Sequence, residues 1–232
     1  MSTHSADRIA PCCEIVHTPA VEDTLKSIFA LSTRNEPTTT SALAAQLGVA
    51  PPTVTAMINR LCANGLVLRG AGHRVELTDH GLRHALDVVR RHRLLEEFLV
   101  RVLDVPWDEV HDEAEVLEHA VSDALIRRID RFLGHPTHDP HGDPIPSAHG
   151  PHVETWTGAL ADIEPGTTFR VERVSDRDGA ALRYLGALGI RPGAVLDVLE
   201  RAPFDGPLWV RVDEQAHGLS AALAALVHGS VT

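Results

Sequence analysis

Between Thr40 and Leu77 the apolar residues change period, and this change restricts the fold more than any other feature of the chain. Thr40 or Ser41 can cap a short helix over 42–47 that stops at Gly48. Pro51 and Pro52 then open a second helix, where a missing N–H is tolerated. Val54, Met57, Ile58 and Leu61 share one face of it, and Asn64-Gly65 ends it. From Leu66 the period drops to two around a Gly-Ala-Gly turn, so two short strands form a hairpin. Two short helices, a tight turn and a hairpin predict a winged helix-turn-helix, a module that reads DNA.

The polar face of the second helix fits that use. It offers Thr53, Thr55, Ala56, Asn59 and Arg60, types that reach base edges and phosphates. Arg69 and Arg74 flank the turn of the hairpin. Residues 38–75 hold three arginines and no acid, whereas the whole chain of 232 residues has a net charge of −11. A mildly basic reader on an acidic body argues against indiscriminate nucleic-acid binding. With 44% hydrophobic and 23% charged residues the chain is ordinary globular protein, and no apolar run is long enough to cross a membrane. The three cysteines, Cys12, Cys13 and Cys62, cannot build a disulfide framework, and the N-terminus has no apolar leader. A reducing cytoplasm is the expected compartment.

Helical spacing also marks residues 20–33, with Glu22 and Asp23 in the first turn. A long helix is expected over 79–103 with Asp79 as its cap, another from Pro106 to about 120, and a third over 121–133. The loop 134–152 is rich in proline and histidine and reads as a linker with solvent-exposed histidines. From about 159, short β-rich runs surround a helical stretch, and LSAALAALVHG reads as a terminal short helix. The expected fold is mainly α with a small β-barrel. Its parts are a tail (1–18), the reader (19–87), a helical domain (88–146), a linker (147–158) and the β domain (159–232).

The chemistry is concentrated in the helical part. His111, Glu115, Glu118 and His119 follow one another at 4, 3 and 1 residues, so they share one helix face. His92 and Glu96 are one turn apart on the preceding helix. Three histidines and three carboxylates without a thiolate suit a hard to borderline divalent ion. The segment EVLEH approaches the inverted zinc-protease pattern, but Glu115 stands where that pattern has histidine, which leaves a metallohydrolase a weak alternative. A metal-buffering or adaptor protein that does not bind DNA is the alternative of another class.

A winged helix followed by RRHRLLEEFL, HDEAEVLEHAVSD and DPHGDPIP resembles the diphtheria toxin repressor family. LRYLGALGIRPGAVLDVLER resembles the FeoA-type, SH3-like domain of its manganese-responsive branch. The resemblance implies a homodimer that binds palindromic double-stranded operator DNA when metal-loaded, with no membrane and no small-molecule substrate. It implies Asp23, Glu115, Glu118 and His119 as primary ligands, joined by His92. Iron-type members carry methionine at the position of Asp23 and cysteine at that of Glu115, so Mn(II) is preferred here. Fe(II) is the runner-up, and other divalent transition metals are expected to bind in vitro. The two-metal version of the site has a carboxylate where this chain has Lys26, so one ion is expected there. A second site would use Glu96 and His111 with Asp176 or Asp178 from the β domain; Ala181 stands where another ligand is expected, and His92 is open to either site.

Overall fold

The computed structural model describes residues 18–147 and 157–232. Cys12, Cys13, His149, His152 and most of the expected tail and linker lie outside the described residues.

The reader is built from α1 (Pro19–Thr33), α2 (Thr40–Leu47) and α3 (Pro51–Ala63), followed by the hairpin β1 (Val67–Arg69) and β2 (Val75–Leu77). Gly48 closes α2 in the left-handed region, which allows the sharp turn into α3. Capping falls one residue earlier than expected. Thr39 caps α2 through the amide of Ala42, and Thr78 caps the next helix through that of Gly81. Val21, Leu25, Ile28, Leu43, Val54, Ile58 and Leu66 form one core, so α1 and the recognition helix α3 are packed into one unit.

Helix α4 (Asp79–Leu103) runs out of the reader. Its first half packs in the reader's core through Ala85 and Val89. Its second half packs through Leu94, Leu95 and Leu99 against α5 (Val110–Leu117) and α6 (Asp123–Leu133). Helix α5 is shorter at both ends than the expected 106–120. Trp107, in a turn before it, points into the C-terminal domain, and Glu118 and His119 lie in the turn after it.

The C-terminal domain is one antiparallel sheet in the order β3-β8-β4-β5-β6-β7. Its elements are β3 (Gly158–Ala159), β4 (Thr167–Val174), α7 (Gly179–Ala187), β5 (Val195–Arg201), β6 (Leu208–Val212), β7 (Gln215–Leu219), α8 (Ala221–Ala224) and β8 (Val227–Val231). Irregularities between Val171 and Arg173 and between Val198 and Glu200 bend the sheet around its core. The expected terminal helix is corrected: only four residues are helical, and Val227–Val231 is a strand between β3 and β4. The alternation of buried Val227 and Gly229 explains it. A Cβ on Gly229 would come within 2.0 Å of the Arg170 carbonyl, at 1.9 Å, so glycine lets the strands meet.

Two anchors dock this domain on the helices. Trp107 is 5% exposed and belongs to the sheet's core, with the Arg191 guanidinium 4.5 Å from its ring centroid. Asp143 pairs with both Arg93 of α4 and Arg173 of β4.

Candidate metal centre

Two clusters of carboxylates and histidines meet where the three domains join. The first begins on α1, where Glu22, Asp23 and Lys26 face the turn after α5. Glu118 is fully buried there. Its Oε1 accepts from Lys26 Nζ at 2.7 Å, and its Oε2 lies 2.6 Å from His92 Nδ1. Lys26 Nζ also reaches Glu115 Oε1 at 2.6 Å. His119 Nδ1 lies 2.8 Å from Glu22 Oε2, which turns its Nε2 toward Asp23. That Nε2 is 2.9 Å from Asp23 Oδ1, yet this buried oxygen makes no hydrogen bond. Donor atoms of Asp23, Glu118 and His119 all lie within 4.8 Å of one another. Two donors this close without a hydrogen bond are aimed at a common point, which a divalent ion fits.

The second cluster centres on Glu96, which is 1% exposed. Its Oε1 is 3.0 Å from His92 Nε2 and 3.3 Å from His111 Nδ1; its Oε2 is buried without a partner. His111 Nδ1 is also 3.2 Å from Asp176 Oδ2, beyond the end of β4. His141 completes the cluster from the loop after α6. Its Nε2 donates to the Trp107 carbonyl at 2.6 Å, and its ring stacks on Trp107. That bond leaves the lone pair on Nδ1, which is buried, unbonded and 3.9 Å from Glu96 Oε1. Asp139 Oδ1 accepts from the amides of His141 and Asp143, and Glu96, Asp139 and His141 form a second group with donors within 4.8 Å. Two orphaned donors in one buried group also fit an ion.

Charge follows this arrangement. Burial opposes a charge on His92, but Glu96 and the hydrogen bonds of Glu118 and Glu96 outweigh it, and its pKa rises to about 9. Burial likewise opposes a charge on His111, yet Asp176 and Glu96 raise it to about 11. Burial and then the Glu96 charge push Asp139 up to about 8. Burial also raises the Asp23 carboxyl, against the pull of His119 and Lys26.

The predicted ligands are placed as follows. Asp23, Glu118 and His119 come together; Glu115 borders them through Lys26 and forms a donor group of its own with His92 and His111. His92 stands between the clusters, one ring nitrogen toward each. Glu96, His111 and Asp176 meet in the second cluster. Asp178 does not join it and is corrected: its carboxylate caps α7 through the amides of Ala180 and Ala181. The expectation of exposed linker histidines holds for His135 and His138 and fails for His141, which is fully buried. Glu22, Asp139 and His141 were not anticipated as site residues. No periodic signal marks the last two; in the structure the neighbouring Gly142 has φ +89°, and a Cβ there would lie 2.0 Å from the Glu172 carbonyl, so this loop presses on β4.

On the reader, Thr53, Thr55, Ala56, Asn59 and Arg60 are all exposed on α3, and Arg69 and Arg74 are exposed on the hairpin. Arg69 donates to Asn59 Oδ1 at 2.7 Å, tying the wing to the recognition helix. Thr55 Oγ1 donates to the Pro51 carbonyl, which leaves its methyl group and a hydroxyl lone pair outward.

A winged helix joined by α1 to a carboxylate–histidine centre defines the class of metal-responsive DNA-binding regulators. The comparisons are specific within it. Residues 17–69 match the iron dependent repressor N-terminal DNA binding domain, 78–147 its metal binding and dimerisation domain, and 159–230 the FeoA domain. A solved manganese-dependent transcriptional repressor in complex with manganese is 44% identical, with TM-score 0.85, covering 91% of this chain and all of that one. The manganese regulator SloR is 34% identical, with TM-score 0.77, over 93% of this chain and all of that one. The iron-dependent repressor IdeR of Mycobacterium tuberculosis is 41% identical over 123 residues, and the match spans about half, 53%, of each protein. The chain belongs to the diphtheria toxin repressor family of iron- and manganese-dependent transcriptional repressors, with the FeoA-type, SH3-like domain at its C-terminal end.

Proposed function

We propose that this protein is a manganese-responsive repressor: a cytoplasmic homodimer that binds palindromic operator DNA when Mn(II) is held at the first cluster. The observation that carries the reading is that the donors of this cluster come from two domains. Asp23 rides on α1, whose Leu25 and Ile28 sit in one core with Val54 and Ile58 of α3. Glu118 and His119 belong to the helical domain. A bound divalent ion supplies the charge that lets these donors share one point. Fixing Asp23 there fixes α1, and with it the angle at which α3 is presented. Two recognition helices so oriented reach major grooves one helical turn apart, and Asn59, Arg60, Thr53, Thr55 and Ala56 face the bases. Arg69 and Arg74 serve the backbone beside the wing.

Oxygen and imidazole donors without sulfur support Mn(II), which softer ligands would disfavour. Fe(II) is the second reading, favoured by the identity to a relative named iron-dependent. The second cluster, Glu96, Asp139 and His141 with His111 and Asp176 beside it, is proposed as a further metal site that joins the SH3-like domain to the helices. The partner copy is proposed to sit on α6 and the end of α4, where Phe132, Leu103 and Leu125 are 70%, 59% and 47% exposed. No catalytic residue or small-molecule substrate enters this reading.

Fluorescence anisotropy tests it, with labelled DNA from upstream of the protein's own gene beside a scrambled duplex. Tight, specific binding with Mn²⁺ and none with EDTA is expected. Equal binding with anaerobic Fe²⁺ would return selectivity to cellular metal levels. Absence of specific binding under every metal, after genome-wide site selection as well, would overturn repression.

A further inference from the structure

Lys26 is the only lysine among the 21 basic residues of the chain; all the others are arginine. It stands inside the first cluster. Its Nζ lies 2.6 Å from Glu115 Oε1 and 2.7 Å from Glu118 Oε1, with its side chain 17% exposed. Glu118 belongs to the donor group with Asp23 and His119, and this Oε1 lies 3.5 Å from His119 Nε2. The ammonium therefore holds an oxygen that an ion at Asp23, Glu118 and His119 would also use.

We propose that Lys26 is a tethered counter-cation that competes with the divalent ion for Glu118 and Glu115, and so sets the metal concentration at which the first cluster fills. This rests on reading that cluster as a metal site. The residue type suits the role. An ammonium is a compact point charge on a flexible four-carbon stem, while a guanidinium is a wide planar fork that binds a carboxylate in two places and gives it up less readily. Three carboxylates, of Asp23, Glu115 and Glu118, crowd one mostly buried corner, and their mutual repulsion is relieved by one nearby positive charge. A divalent ion at the same corner would sit within a few ångströms of that charge, where like charges repel strongly even with protein screening. The ammonium has room to leave. Lys26 lines a cleft of about 770 Å³ that also borders Ser27, Thr33 and Glu36. Filling the site is thus an exchange of one cation for another. The lysine lowers apparent metal affinity, while in the protein without metal it supplies a bond from α1 to the turn after α5.

The test counts bound Mn²⁺ by electron paramagnetic resonance in the full chain and in Lys26→Met. The variant should bind Mn²⁺ about tenfold more tightly or better, from loss of the nearby like charge. Equal or weaker binding would overturn the proposal. The native protein provides a second reading should the variant fold poorly. Reductive methylation with ¹³C keeps the charge and gives one side-chain dimethylammonium signal, separate from that of the N-terminus. Titration with diamagnetic Cd²⁺ should shift that signal and narrow it, in step with the imidazole signal of His119. A His119 response with a stationary Lys26 signal would overturn the competition while leaving the metal site standing. Silence of both signals would remove the metal site itself, and the proposal with it.

Discussion

The two clusters use the same chemistry and differ in what surrounds them. The first spans α1 and the turn after α5, with a lysine among its carboxylates and partly exposed Asp23 and Glu115. The second packs against Trp107, the Arg93–Asp143–Arg173 pairing and the tight passage of Gly142 over β4, with Asp139 and His141 buried, while His111 opens on the same cleft as Lys26. Donor sets alone therefore do not define a switch. The first cluster ties α1 of the reader to the turn after α5, across parts that also share α4, and is expected to set the reader's angle; the second links the helices to a domain already docked by Trp107 and the Arg93–Asp143–Arg173 pairing, and is expected to stabilise that docking.

The largest effect that sharpens this contrast is expected from Asp23→Ala. It should leave the fold intact and lower metal-dependent DNA affinity about a hundredfold, a coupling energy at the upper end of ordinary allostery. Anisotropy with Mn²⁺ beside a thermal melt separates the two effects. His141→Ala should do the opposite. Losing a buried ring that stacks on Trp107 costs about 2–4 kcal/mol of stability. Chemical denaturation should show the loss, with hydrogen exchange rising in β4 and the Trp107 turn.

Proton linkage gives the next effect. His92 is held charged up to a pKa of about 9, so an ion that takes its imidazole must displace a proton. Mn²⁺ affinity should rise with pH from about 6.5 to 9, by up to about tenfold per unit, and calorimetry in two buffers should show proton release. The sign for folding is opposite. A raised folded pKa stabilises fully below the unfolded value of 6.5, and this contribution is lost as pH rises through about 9. A pH-independent affinity over that range would place His92 outside both sites. Glu115→Cys should shift preference from Mn²⁺ toward Zn²⁺ and Fe²⁺, read as a changed ratio of affinities. The smallest effect is expected from Arg69→Ala, which loosens the wing from Asn59 and should weaken DNA binding about fivefold, uniformly across sequences.

The sequence disclosed the periodic parts of this account. The reader, the long α4 and the ligands on α4 and α5 follow from apolar spacing, because a helix repeats its neighbours at fixed intervals. Asp23 and Asp176 were reachable only through the family resemblance, since nothing local says which distant element they face. Asp139 and His141 were lost for a physical reason: a loop has no period, so burial of His141 depends on Trp107 and β4 arriving from elsewhere. The terminal strand failed similarly. LSAALAALV has helical composition, and only pairing with β3 and β4 makes Val227–Val231 extended. Glu22 is a helix surface residue by pattern, and becomes a partner of His119 only after α1 docks.

The most direct measurement is the ratio of operator affinity with Mn²⁺ to that with EDTA, in Asp23→Ala and His141→Ala side by side. The ratio should fall toward unity in Asp23→Ala and stay within about tenfold of wild type in the folded fraction of His141→Ala. A ratio preserved in Asp23→Ala and abolished in His141→Ala would contradict it, and would move the switch to the SH3-like domain.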